Sequence, residues 1–148
     1  MDTRFSNYYG WESPDVMHTS SMAWYSKLNF INKEVEFLKT LLNQYLSAIG
    51  DIGLLKQVKK ISEEFDRVKS EILELTTLIQ AHRNNLKILY SNLNYAEQQW
   101  SYKHEHRKLM IKMHEFDSKY RSSKRAVFQT IKEIFLYQKQ KSTSAKNS

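Results

Sequence analysis

His82 is the residue best placed to do chemistry. It sits in the run Leu75, Ile79, His82, Leu86, Leu89, whose alternating steps of four and three residues keep one side of a helix in line. The chain holds five histidines and no cysteine, so disulfides, thiolate nucleophiles and zinc fingers are excluded. Three neutral imidazoles with an open coordination position suit zinc or iron. His18 and His106 come level with His82 if the chain reverses near Gly50 and again near Asn94, because antiparallel helices rise equally, about 1.5 Å per residue. Met17, Met22 and Met110 fall near the same level, and Glu97, Glu105 or Tyr102 could orient the rings. The plain alternative for His82 is a hydrogen-bonded core histidine, the commoner fate of such a residue.

Other catalytic constellations do not form. No glutamate stands three residues before any histidine, so the Glu-x-x-His pairs of a di-iron bundle are missing. The triplet His104-Glu105-His106 lacks the spacing of a zincin helix. With three glycines in all, there is neither a phosphate-cradling loop nor a glycine-flanked nucleophile elbow. The expectation is a protein that is not an enzyme.

The positioning elements follow from apolar spacing. All three glycines and the one proline lie within the first 53 residues, which leaves too few turn formers for β-hairpins. Trp24, Leu28, Ile31, Val35, Leu38, Leu42, Tyr45 and Ile49 form one seam at the 3.5-residue period, and the spacing predicts that Phe30, Phe37 and Leu41 widen it. Gly50 suits a left-handed helix end and Asp51 the cap of the next helix. A second seam runs from Leu54 through Phe65 and His82 to Leu93. Carried further, that seam would use Lys103, Arg107, His114 and Arg121; a shifted one through Tyr102, His106, Leu109, Met113, Phe116, Tyr120, Ser123 and Val127 is apolar instead. The slip falls at Ser91-Asn92-Leu93-Asn94, and Asn94 with Glu97 matches a capping box. A single helix from 52 to 140 would leave an apolar stripe ~130 Å long in water. The chain therefore folds back, giving an all-α, up-down-up antiparallel three-helix bundle with long coiled-coil-like helices.

The expected domains are an aromatic N-terminal segment at 1–19, a bundle at 20–140 with helices at about 20–49, 52–91 and 95–140, and a polar basic tail at 141–148. In the first of these, Ser13-Pro14-Asp15 looks like a cap followed by proline at the first helical position, able to start a short helical turn.

The stretches "WYSKLNFINKEVEFL", "IQAH" and "HRKLMIKMHEFDSKY" resemble a set of uncharacterised three-helix proteins of Bacteroidota-type bacteria. The resemblance covers about residues 18–138 and implies three helices with a turn between His82 and His106. It implies no activity, and those proteins carry more histidines and a proline in the second turn.

Charge points to partners. The net charge is +7: residues 1–94 hold 11 basic and 11 acidic side chains, and residues 95–148 hold 12 and 5. The whole excess lies in the third helix and tail, where Arg121, Lys124 and Arg125 are the densest cluster and a candidate contact for nucleic-acid phosphates. Tyr8, Tyr9 and Trp11 either cap the core or dock a partner. No apolar run reaches the length of a membrane span, and the N-terminus has no secretory pattern, so a cytoplasmic protein is expected. The leading expectation is a non-catalytic interaction or assembly module with a protein partner or a second copy. A metal-binding bundle and a nucleic-acid-binding bundle are the alternatives.

Overall fold

The computed structural model describes residues 13–46, 50–91 and 95–146, with side chains at 13–46, 50–89 and 99–143. Three helices follow in order: α1 at Pro14–Leu46, α2 at Ile52–Ser91 and α3 at Tyr95–Lys146. The architecture is the expected all-α three-helix bundle.

The helix starts have local causes. Pro14 opens α1 behind Ser13, whose carbonyl accepts from the Met17 amide at 3.0 Å and whose hydroxyl lies 3.4 Å from the Val16 amide. Proline costs nothing there, since the first-turn amides have no intrahelical partner. The helix therefore begins before residue 20 and takes in part of the segment read as an aromatic appendage. At α2, the Asp51 side chain accepts from the Leu54 amide at 3.1 Å, the capping role expected of it. Gly50 departs from expectation: its backbone is not left-handed, and what disfavours a side chain is the Tyr137 hydroxyl oxygen, 2.8 Å from where a Cβ would stand. At the other end, α3 continues past Gln140 to Lys146, so most of the polar tail is helix.

The chain divides into two compact units, one of residues up to Phe30 with Ile72–Phe116, the other of Ile31–Glu71 with residues from Asp117 on. Each takes part of all three helices. In the first, Met17, Leu86, Leu89 and Tyr102 form a buried cluster, and Leu28, Ile79, Leu109 and Phe116 are also buried. In the second, Val35, Leu38 and Leu42 of α1, Val58 and Phe65 of α2, and Val127 and Ile134 of α3 are buried. The α3 seam on Tyr102, His106, Leu109, Met113, Phe116, Tyr120, Ser123 and Val127 is thus the buried one. Phe30 and Phe37 correct the reading of α1: they are 63% and 64% exposed. They stand two residues beyond Leu28 and Val35, about 200° around the helix, and so face away from the interior.

Polar groups accompany the apolar ones in the second unit. Tyr120 donates to Glu34 at 2.5 Å, Lys124 pairs with Glu34 at 2.9 Å, Ser123 donates to Glu64 at 2.6 Å and Gln57 to Thr130 at 2.8 Å. Burial pushes the Glu34 carboxyl up, but the Tyr120 and Lys124 contacts outweigh it and hold the group below its ordinary range. Burial first, then the bond to Glu34, pushes the Tyr120 phenol far up.

The seam is checked by two phenylalanines of opposite exposure. Phe65→Ala, at a fully buried position, should lower unfolding free energy by about 3–5 kcal/mol, whereas Phe37→Ser should change it by less than about 0.5 kcal/mol. Urea unfolding of the two variants measures both, and similar losses would mean that the seam is misassigned.

Candidate functional site

Two of the three histidines expected to converge do so. His82 of α2 and His106 of α3 are 0% and 4% exposed, and His82 Nε2 lies 3.0 Å from His106 Nδ1. A reversal centred on Asn94 requires this pairing, although residues 92–94 themselves lie outside the described ones. His18 is exposed. Met17 packs against Leu86 and Leu89; seven residues along α1 from Met17, and seven back along α2 from Leu89, Trp24 comes level with His82. Trp24 occupies the place foreseen for His18, stacked on His106 with ring centroids 4.6 Å apart. Among the described residues, no group of three or more His, Cys, Asp or Glu side chains is arranged to hold a metal ion.

The pair is one segment of a hydrogen-bonded chain. His82 Nδ1 lies 2.5 Å from Glu105 Oε1, and the Asn85 amide donates to both oxygens of Glu105 at 3.1 and 3.2 Å. The hydrogen bond from His82 is the main influence holding the Glu105 carboxyl below its ordinary range, against burial. Glu105 is therefore a carboxylate and can only accept, so His82 Nδ1 carries a proton. When His82 is neutral, its Nε2 accepts from His106 Nδ1–H; when it is charged, its Nε2–H donates to His106 Nδ1. Either way one proton sits between the rings. His82 also stacks flat on Tyr102, centroids 4.1 Å apart at 5°.

Chemically the arrangement is a hydrogen-bonded chain packed between two aromatic rings. Among the described residues no serine or threonine hydroxyl is bonded to either imidazole. A surface cleft of about 180 Å³, bordered by Asn85, Ile88, Leu89, Ser101, Tyr102 and Glu105, opens at the carboxylate end. Glu105 was foreseen as an orienting group. Asn85 was not, though its place three residues after His82 puts it on the same side of α2.

The basic cluster is partly engaged within the chain. Arg121 pairs with Asp117 at 2.8 Å, Lys124 with Glu34 at 2.9 Å, and Arg125 Nε donates to the Arg121 carbonyl at 3.4 Å. Tyr8, Tyr9 and Trp11 lie outside the described residues. No helix among the described residues is long and apolar enough to cross a membrane.

Compared with known proteins, the chain matches no family model, no curated protein and no solved structure. The resemblance carried by the helical stretches therefore gains no family from these comparisons.

The buried histidine chain predicts how stability depends on pH. Burial first, and then the neighbouring His82, lower His106 from 6.5 to about 4. Between those values the unfolded chain binds a proton that the folded one refuses, so the stabilisation is complete above the upper limit and falls as pH drops through the window. Glu105 acts in the same direction at lower pH, its contribution being lost as it protonates. Lys108 is the other charged group acting on Glu105. At about 1.4 kcal/mol per pH unit, the His106 window corresponds to about 3–4 kcal/mol. His106→Gln, which keeps a hydrogen-bonding side chain without a titrating one, should lose less stability than the native chain between about pH 7 and about pH 5. Parallel losses in urea titrations would exclude His106 as their source.

Proposed function

We propose that the chain is a non-catalytic helical-bundle interaction protein that assembles through the outward face of α1. The observation that carries this reading is the make-up of that face. In the first unit one stripe of it runs Val16, Thr19, Ala23, Ser26 and Phe30, with the exposed Asp15, Lys27 and Asn29 beside it; in the second the stripe runs Lys33, Phe37, Thr40 and Gln44, with the exposed Glu36 and Asn43 beside it. Every residue of the stripe itself is exposed, and one is charged. A helix face that only meets water is normally rich in charge, whereas a face with two phenylalanines more than 60% exposed gains by being covered.

A second copy of the chain is the occupant that charge favours. Two such faces meet without setting rows of like charge against each other, and each lone Lys33 can extend its flexible stem to the rim. Ring-against-ring contacts at Phe30 and Phe37 would supply the apolar centre of the interface. The His82–His106 pair fits the same reading as internal architecture, since its rings are packed between Tyr102 and Trp24.

The test is the mass of the chain in solution. Light scattering should give a dimer that dissociates on dilution. The double variant Phe30→Glu and Phe37→Glu should be a monomer with helix content nearly unchanged, and its unfolding midpoint should match that of the native chain at dilutions where both are monomeric. A native chain that stays monomeric at its highest soluble concentration would overturn assembly through α1.

A further inference from the structure

In the second unit the outward face of α3 has the opposite character to that of α1. Arg121, Arg125, Phe128, Lys132, Phe135 and Lys139 follow at alternating steps of four and three residues, and every one is exposed. The two phenylalanines are 52% and 50% exposed. Across residues 121–139 five basic side chains stand against one acidic one, Glu133, which accepts from Gln129 at 3.4 Å.

We propose that this stripe docks an acidic amphipathic helix of a partner protein. The inference rests on reading the chain as an interaction module, and it names the partner's chemistry. Phe128 and Phe135 recur after seven residues, as do Arg125, Lys132 and Lys139. Each repeat is thus about 10.5 Å along the helix. A partner helix with an apolar side chain every heptad, flanked by Glu or Asp, has the same repeat and meets both sets at once. Phe135 is already seated edge-on against Tyr45, centroids 5.1 Å apart at 77°, so its ring is partly ordered before anything docks.

Two other occupants fit less well. A second copy of this stripe would set Arg and Lys against Arg and Lys, and like charges in contact are unfavourable. Nucleic acid would satisfy the cations, but single-strand binding combines a charged groove with rings on which bases stack. The outward face of a helix is convex, so phosphates on the basic residues would leave both rings half wet.

The experiment uses the full chain and two synthetic helical probes of four heptads. Both have leucine at the seam; one has glutamate and the other lysine at the flanking positions. Fluorescence anisotropy should show the glutamate peptide binding and the lysine peptide at least about tenfold weaker. Lys132→Glu, and separately the double variant Phe128→Ser and Phe135→Ser, should each weaken the glutamate peptide by about tenfold with helix content unchanged. Equal binding of the two peptides, no binding of either, or variants that bind like the native chain would overturn the proposal. So would a labelled oligonucleotide that binds through Lys132 and the two phenylalanines where the glutamate peptide does not, which would make the stripe a nucleic-acid surface. The same α3 variants, weighed by light scattering, keep the two readings apart: loss of peptide binding with self-association intact concerns α3 alone.

Discussion

Each helix of this chain carries an apolar seam that no single helix can hide, and that requirement governs everything else about the molecule. Val35 or Phe65 on an isolated helix would face water; between two other helices each is fully buried. A fully buried Val, Leu or Phe contributes about 1.5–3 kcal/mol relative to exposure, so a seam of such residues outweighs the modest helix propensity of its β-branched and aromatic members. Forty or more residues of uninterrupted helix persist because tertiary packing holds them, not because their local preferences are strong. The reversals follow from the same demand. A continuous α2–α3 rod would keep its hydrogen bonds and lose its interior.

Burial alone does not choose which rung of one helix faces which rung of the next; polar groups inside the seams do. In the first unit His82 finds Glu105, Asn85 stands behind the carboxylate, and His106 completes the chain. Sliding α3 by one turn would leave His82 buried beside Leu109, with its ring nitrogens unbonded, at a cost of about 1–3 kcal/mol for each unsatisfied group. In the second unit Tyr120 with Glu34, Ser123 with Glu64 and Gln57 with Thr130 do the same work. These contacts add little net stability, because each group gave up water to make them. Their effect is to make wrong alignments expensive.

The seams, the helix count and the level of His82 with His106 were legible because they depend only on period and on equal rise. The shifted α3 seam was found by counting, without any glycine to mark the reversal. What escaped was angular and local. Phe30 and Phe37 have the same chemistry as core residues, and only their angular offset from Leu28 and Val35 separates them. His18 lies one residue past the buried Met17, and one residue is about 100° of rotation, enough to turn an imidazole from the interior to solvent. Trp24 was read as an ordinary seam residue, because the level of α1 against α2 depends on the path of the first link. The helical state of the C-terminal residues gave no periodic signal, since a helix that meets only water needs none.

A core satisfied by its own three seams does not need Phe30, Phe37, Phe128 or Phe135, which are at least half exposed, and charge divides them. The two on α1 stand among threonine, serine and alanine with charges of both signs beside them, Lys27, Lys33 and Glu36, a setting in which a like surface can approach. The two on α3 stand between arginines and lysines, a setting that repels its own copy and attracts acid. The whole excess of +7 lies in residues 95–148, so the electrostatic field is strongest beside the face that cannot pair with itself. An approaching acidic helix is drawn toward α3 over roughly a Debye length, about 8 Å at physiological salt, before any ring is covered. The apolar contacts then set how long it stays, since charge chiefly governs encounter and burial chiefly governs release.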